Sequence, residues 1–200
     1  MEIIENIQVS IENTTIWEWL AVLCGLLYVI LITIKKTAAW FFAVISSGLY
    51  IYLCYISQLY LETGLQVFYL AMGFYGWYMW TEDEKDDIEL ISVWSLKQHF
   101  LNILISGLLM LVFGYLFDNY TSQANPYTDA FTTIFSLAAT FMVTRKVMEN
   151  WIYWIVIDAV SVYLFFSRGL YMTSLLFVIY TILAIFGYIH WLKLYKAQKQ

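Results

Sequence analysis

An acidic residue stands in the middle of a long apolar segment, where a carboxylate is costly. Asp158 follows Trp151 by seven positions and Trp154 by four. It lies about 10–12 Å of helix rise from either end of the segment 151–166. On a helix the positions i, i+3 and i+7 share one face. Two aromatic rings and one carboxylate can hold a flat organic cation by stacking, cation–π attraction and charge pairing. The pattern predicts such a binding site.

The same three residues also allow a purely structural interpretation. A carboxylate at mid-membrane depth costs about 2.5–3.5 kcal/mol on the insertion scale, so it should face a cavity or a partner rather than lipid. That partner could be a hydroxyl on a neighbouring helix, with Trp151 and Trp154 as packing residues. From the residues alone, the two interpretations of Asp158 stay open.

The composition is typical of a membrane protein. The chain of 200 residues is 62% hydrophobic and 12% charged, whereas globular domains are about 45–50% apolar and about 25% charged. Charge-free runs at 37–61, 63–81 and 169–192 each reach the ~20 residues that cross a ~30 Å hydrocarbon core. Helices satisfy their own backbone groups at that length. We therefore expect an all-α membrane protein, with residues 1–200 forming one integral membrane domain.

The hydropathy pattern predicts seven transmembrane helices, and basic residues give their orientation. The predicted spans are 17–34, 37–56, 60–80, 99–117, 127–143, 151–166 and 170–191. Nine of the 10 Lys and Arg residues fall on one side of this topology, and Arg168 alone falls on the other. Basic flanks are retained in the cytoplasm, so the N-terminus is predicted outside and the C-terminus in the cytoplasm. Residues 1–10 lack the positive region of a signal peptide, and we expect them in the mature chain. Aromatic residues at the span ends are expected to be interfacial: Trp17, Trp19, Tyr60, Trp80, Tyr127, Trp151, Tyr171 and Trp191.

An internal repeat is visible in the sequence. A shift of 111 positions aligns 40–80 with 151–191 without a gap, and ten of the forty-one pairs are identical. The absence of a gap is the stronger evidence, because a biased composition alone produces several matches. We predict a first repeat at about 16–80, a linker helix at about 99–117 and a second repeat at about 127–191. The unmatched fourth span restores the orientation, which gives the parallel 3+1+3 arrangement of SWEET-type transporters, with a ligand site expected near mid-membrane between the halves.

The repeat adds weaker candidates for the binding site. Ser47 is the counterpart of Asp158, and Trp40 is the counterpart of Trp151. Gln66 and Tyr69 bring polar groups into the third span at positions i and i+3. These four side chains could line the same cavity, although a single interhelical hydrogen bond explains each of them nearly as well.

Other chemistries find little support in the sequence. Cys24 and Cys54 lie in apolar segments without motif spacing, and His99 and His190 have no acidic partner in motif spacing. We therefore expect no metal, cofactor or catalytic site, and no motif of an enzyme is present. The sequence has no basic patch apart from the predicted cytoplasmic flanks, so it does not suggest nucleic-acid binding.

With these residues identified, the chain resembles the PnuC family of bacterial vitamin transporters. The resemblance rests on Glu-Trp-Leu-Ala at 18–21, Tyr-Gly-Trp at 75–77 and Glu-Asn-Trp-Ile-Tyr-Trp at 149–154, and most specifically on the pattern of Trp151, Trp154 and Asp158. In the nicotinamide riboside carriers of this family Asn is expected at the position of Asp158. Other members are assigned to thiamine, riboflavin or deoxynucleosides, and a carboxylate argues against neutral riboflavin.

The resemblance implies a homo-oligomer, a trimer of seven-helix protomers in the bacterial cell inner membrane. It also implies facilitated diffusion, with the substrate trapped by a cytoplasmic kinase. We thus expect import of a cationic vitamin precursor, nicotinamide riboside, with thiamine as the alternative. A proton-coupled carrier that uses Asp158 as its proton site is the mechanistic alternative.

Overall fold

The computed structural model describes residues 11–12, 14–56, 60–85, 90–121 and 125–200. Within these residues the chain forms seven helices of 18 residues or more. They are α1 (Ile16–Thr33), α2 (Ala39–Ile56), α3 (Tyr60–Lys85), α4 (Leu96–Tyr120), α5 (Pro126–Thr144), α6 (Asn150–Ser167) and α7 (Tyr171–Ala197). The predicted all-helical fold is confirmed.

Five of these helices are long and apolar enough to cross a membrane: α1, α2, α4, α6 and α7. The spans predicted at α3 and α5 are helical as well, but their sequences are more polar: α3 ends in the charged sequence 82–85, and α5 contains six Ser and Thr residues. Several helices extend beyond the predicted spans, since polar residues at their ends continue the helix past the apolar stretch. The predicted fourth span, 99–117, is part of the longer helix α4.

Local sequence signals explain where two helices begin. Thr15 accepts a hydrogen bond from the backbone N–H of Glu18, whose carboxylate accepts one from the backbone N–H of Thr15. Ser95 and Gln98 form the same reciprocal arrangement at the start of α4. Such capping boxes satisfy N–H groups that a helix leaves without an intrahelical partner. Both pairs therefore define the helix starts.

The chain divides into two compact units. The first unit consists of residues 1–90 and 189–200, and the second consists of residues 91–188. In the first unit α1 packs on α2 and α2 packs on α3; in the second, α4 packs on α5 and α5 packs on α6. Helix α7 contributes residues to both units.

The turn between the first two helices of each predicted repeat has the same geometry. Lys35 and Lys146 both have positive φ, 57° and 51°. Lys36 N–H donates to Leu31 O at 2.9 Å, and Val147 N–H donates to Met142 O at 3.0 Å. These are Schellman motifs, in which glycine is the usual residue with positive φ. The positions differ by 111 residues, as in the sequence alignment. The recurrence supports the predicted repeat, which we carry forward as a proposal.

A glycine–tryptophan contact recurs at the same spacing. A Cβ atom built at Gly76 would lie 2.5 Å from the ring of Trp40, and one built at Gly187 would lie 2.6 Å from the ring of Trp151. Only a residue without a side chain allows these rings to approach the helix backbone. The two glycines thus fix the positions of the two tryptophans within their own units.

The expected interfacial role is wrong for three tryptophans. Trp80, Trp151 and Trp191 are almost fully buried, whereas Trp17 and Trp19 are exposed. In the first unit the indole N–H of Trp191 donates to the carbonyl oxygens of Ile32 and Thr33, at 3.2 Å each. These carbonyls belong to the last turn of α1, where a helix leaves carbonyl groups without an intrahelical partner, and Ile32 O also accepts from Lys35 N–H at 2.9 Å. A span-end tryptophan can therefore close a neighbouring helix end instead of contacting the membrane surface.

We predict that Gly76→Ala destabilises the protein, while Gly48→Ala in α2 does not. The new methyl group at position 76 would overlap the Trp40 ring, and such overpacking typically costs about 1–3 kcal/mol. A Cβ atom at Gly48 meets no other atom within 4 Å, so alanine there should be neutral or stabilising. Thermal unfolding of both purified variants in detergent tests this. Equal midpoints for Gly76→Ala and the unmodified protein would contradict the packing argument.

Candidate functional site

Helix α6 separates a buried face from an exposed one. Its buried residues are Asn150, Trp151, Ile157, Asp158, Ser161 and Leu164. Its exposed apolar residues include Ile152, Val156, Tyr163 and Phe166. At 100° per residue the two sets lie on opposite sides of the helix. Asp158 is 3% exposed, so its carboxylate faces the interior and not the lipid side of α6.

The Asp158 carboxylate differs from other acidic groups of the chain in its partners. Glu18 binds a backbone N–H, and Asp129 forms an ion pair with Arg168. Within the described residues, neither a hydrogen bond nor an ion pair involves Asp158. A buried carboxylate normally has such a partner, because desolvation strongly disfavours an uncompensated charge. The hydroxyl partner of the structural interpretation is thus not found in this part of the chain.

The two tryptophans of α6 have different surroundings. Trp151 is 2% exposed, and its ring packs against Gly187. Trp154 is only half-buried. Trp151 therefore has an evident packing role whether or not it contacts a ligand, while the ring of Trp154 retains accessible surface.

The other predicted site residues belong to the first unit. Trp40 is buried among Gly76, Tyr28 and Trp80, with ring centroids 5.6 Å from Tyr28 and 5.5 Å from Trp80. Its environment is that of a packing residue.

Ser47 is buried on the same helix, α2, whereas Gln66 and Tyr69 are half-buried on α3. The hydroxyl group that fastens α2 to α1 belongs to the preceding serine: Ser46 donates to Ala21 O at 2.9 Å. The hydrogen bond between α2 and α1 therefore does not involve the Ser47 hydroxyl.

The side chains that could bind a metal ion are dispersed in the part of the chain that the structure describes. In the described ranges no group of three or more His, Cys, Asp and Glu residues could hold a metal ion. Cys24 and Cys54 are free thiols.

Sequence reasoning missed a polar cluster in the second unit. His99 Nδ1 lies 3.0 Å from the Tyr153 hydroxyl, and His99 Nε2 lies 4.0 Å from Glu149 Oε1. Glu149 Oε2 also accepts a hydrogen bond from the backbone N–H of Trp94 at 3.3 Å. His99 has its acidic neighbour fifty positions away in sequence, which no short motif can reveal. The capping box at Ser95 was the one available signal, because it places His99 near the start of a helix.

A ladder of hydroxyl groups along α5 was also missed. Ser or Thr occurs at every fourth position from 128 to 144. Thr132 donates to Thr128 O, Ser136 to Thr132 O and Thr140 to Ser136 O, at 3.2, 2.6 and 2.8 Å. Each hydroxyl thereby satisfies its donor within its own helix. The regular spacing of four residues could have identified this ladder from the sequence.

Comparisons with known proteins agree with this architecture. The sequence model described as nicotinamide mononucleotide transporter matches residues 15–193. The nicotinamide riboside transporter PnuC of Escherichia coli (strain K12) is 28% identical over 201 residues, covering 88% of this chain and 84% of the relative. The riboflavin/roseoflavin transporter RibM of Streptomyces davaonensis is 26% identical over 149 residues, covering 72% of this chain and 70% of the relative.

A solved structure shows the same fold. The crystal structure of the vitamin B3 transporter PnuC superposes with a TM-score of 0.73 at 24% identity, covering 98% of this chain and 88% of the other. The match to the family model and the similarity to PnuC sequences confirm the resemblance inferred from the motifs. Since the family match extends from the start of α1 to near the end of α7, this chain belongs to the nicotinamide mononucleotide transporter family of membrane transporters.

Proposed function

We propose that this protein imports nicotinamide riboside by facilitated diffusion. The observation that carries the proposal is Asp158, a carboxylate buried at the middle of α6 without a partner among the described residues. A fixed charge in this position is disfavoured unless something compensates it. A cationic substrate supplies that compensation when it binds. Nicotinamide riboside carries a pyridinium cation, and relatives of this chain are named as its transporters.

The residues of α6 have separate roles in this proposal. Trp154 stacks on the pyridinium ring, and Trp151 forms a rigid wall because Gly187 fixes its position. Asp158 pairs with the cation or accepts a hydrogen bond from a ribose hydroxyl. Aromatic faces attract cations by about 0.5–2 kcal/mol, more when the site is desolvated. Gln66, Tyr69, Trp40 and Ser47 are proposed as additional contacts, with Trp40 acting through packing.

Thiamine is the alternative substrate. Its thiazolium is also a flat organic cation, so the charge of Asp158 does not separate the two ligands. The relative named as a riboflavin/roseoflavin transporter shows that substrates vary among similar chains. A neutral flavin has no positive charge to compensate a buried carboxylate, which argues against it here.

The proposed architecture places this site in a parallel 3+1+3, SWEET-like fold. The recurrence of turn geometry and glycine–tryptophan packing at a spacing of 111 residues supports it. The distribution of basic residues supports an external N-terminus and a cytoplasmic C-terminus in the bacterial inner membrane. The homotrimer and the coupling to a cytoplasmic kinase follow from the family resemblance alone.

Substitution of Asp158 tests its role directly. Asp158→Ala should abolish uptake of nicotinamide riboside while leaving a folded protein. Asp158→Asn removes the charge but still accepts a hydrogen bond from a ribose hydroxyl, and Asn is the residue expected at this position in the nicotinamide riboside carriers of the family. This variant should therefore retain uptake and bind the substrate at most about tenfold more weakly. Radiolabelled uptake, calorimetric titration and size-exclusion profiles provide the measurements. Asp118→Asn, at the exposed end of α4, is the matched control. Normal uptake by Asp158→Ala would remove Asp158 from the mechanism.

A comparison of ligands tests the substrate. Calorimetric titration of the purified protein with nicotinamide riboside, thiamine and riboflavin should show binding of nicotinamide riboside and no binding of riboflavin. Tight binding of thiamine alone would replace the proposed substrate by the alternative. Tight binding of riboflavin would contradict the charge argument itself.

Reconstitution tests the energy coupling. In proteoliposomes the internal substrate concentration should rise only to the external concentration, with or without a pH gradient, because facilitated diffusion has no second driving force. Accumulation above that level under an inward proton gradient would show that Asp158 works as a proton site instead. Protein-free liposomes provide the baseline.

A further inference from the structure

The polar cluster at the start of α6 lies in a segment that backbone hydrogen bonds hold in place. Ser92 N–H donates to Lys146 O at 3.0 Å, and Met148 N–H donates to Ser92 O at 2.8 Å. The Ser92 hydroxyl donates to Arg145 O at 3.1 Å. Together with the bond from Trp94 N–H to Glu149, these contacts fasten the residues before α4 to the turn between α5 and α6. The cluster is thus built on a fixed backbone.

This cluster closes one end of a cavity of about 350 Å³. Its polar and aromatic lining consists of Trp94, His99, Glu149 and Tyr153, and its apolar lining consists of Leu96, Ile103 and Ile152. The carboxylate of Glu149 is 15% exposed, so it is largely withdrawn from solvent. The rings of Trp94 and Tyr153 both contact His99, with centroids 5.6 and 5.8 Å from the imidazole. A carboxylate among aromatic rings is suited to bind an ammonium group.

An apolar groove of about 410 Å³, lined by residues of α4 alone, lies next to this cavity. The two share Ile103, and the groove follows α4 past Gly107 to Leu111. From His99 to Leu111 the helix rises about 18 Å, slightly more than half of the ~30 Å hydrocarbon core. The groove therefore has the length of one acyl chain within one leaflet.

The cavity opens on the lipid side of α6 and not on the side of Asp158. Glu149 lies one turn before Ile152 and Tyr153 and two turns before Val156, and both Ile152 and Val156 are exposed. Trp151 and Asp158 lie on the buried face of the same helix. A ligand of Glu149 therefore arrives from the bilayer and does not compete for the proposed substrate site.

We propose that this groove binds a phospholipid whose headgroup carries a primary ammonium, as in phosphatidylethanolamine. The ammonium pairs with Glu149 near the rings of Trp94 and Tyr153, and one acyl chain occupies the groove along α4. Glu149 repels an anionic headgroup and cannot receive a hydrogen bond from a quaternary ammonium. The expected order of binding is phosphatidylethanolamine, then phosphatidylcholine, then phosphatidylglycerol.

Native mass spectrometry of the purified full-length protein tests this proposal. The protein is equilibrated with an equimolar mixture of the three phospholipids carrying identical acyl chains. Phosphatidylethanolamine should be retained preferentially, and Glu149→Gln should reduce that preference by about tenfold, as expected for loss of a charge-assisted contact. Glutamine still accepts the hydrogen bond from Trp94, so the fold is preserved. Asp118→Asn removes the same charge from the far end of α4 and should leave the preference unchanged.

A second variant tests the groove independently of the headgroup. A Cβ atom at Gly107 meets no atom within 4 Å, so Gly107→Leu fits without a clash and fills the groove. It should reduce retention of all three phospholipids. Equal retention of the three phospholipids by the unmodified protein, or unchanged behaviour of either variant, would overturn the proposal. So would cross-linking of Ile103→Cys between two copies of the chain, since the groove would then be a protein interface.

Discussion

The main physical constraint on this structure is one carboxylate that is buried away from both water and lipid. Asp158 lies on the buried face of α6, and no described residue compensates its charge. Hydrocarbon cannot solvate an ion, so a charge at this depth is disfavoured unless a partner compensates it. Such a position is stable only in a bundle rigid enough to keep the helix from rotating its charge toward the surface. Helix α6 has that rigidity because Trp151, two turns before Asp158 on the same face, packs against Gly187.

Rigidity in both units comes from the same two devices. A Schellman turn with a lysine of positive φ reverses the chain, and a tryptophan at the start of the next helix packs on a glycine. Lysine in this conformation costs about 1–2 kcal/mol relative to glycine. At Gly169, the turn after α6, the same reversal uses glycine with φ of 74°. Of these three turns, the two that use lysine are those predicted to face the cytoplasm, where a basic side chain contributes to membrane orientation.

The sequence was sufficient for the helices, because uninterrupted apolar runs have no other stable form in lipid. It also identified Asp158, since a lone carboxylate in such a run is conspicuous. The sequence was misleading for Trp80 and Trp191, because an indole at the end of a span can lie at the membrane surface or be buried against a neighbouring helix, where its N–H can donate to a carbonyl oxygen. Only the fold shows that Trp191 closes the end of α1. The cluster of His99, Glu149 and Tyr153 was beyond sequence reasoning, because its members are brought together by packing across some fifty residues.

The hydroxyl ladder of α5 has a mechanical consequence. Thr132, Ser136 and Thr140 donate to carbonyls one turn earlier. A carbonyl that accepts a side-chain hydroxyl as well as a backbone N–H holds its helical hydrogen bond less firmly. Helices with this substitution pattern bend more easily than purely aliphatic ones. The equivalent positions of α1 are Ala21, Gly25 and Val29, which have no hydroxyl groups. The two halves of the sequence therefore differ in stiffness, and flexure in a working cycle would concentrate in α5.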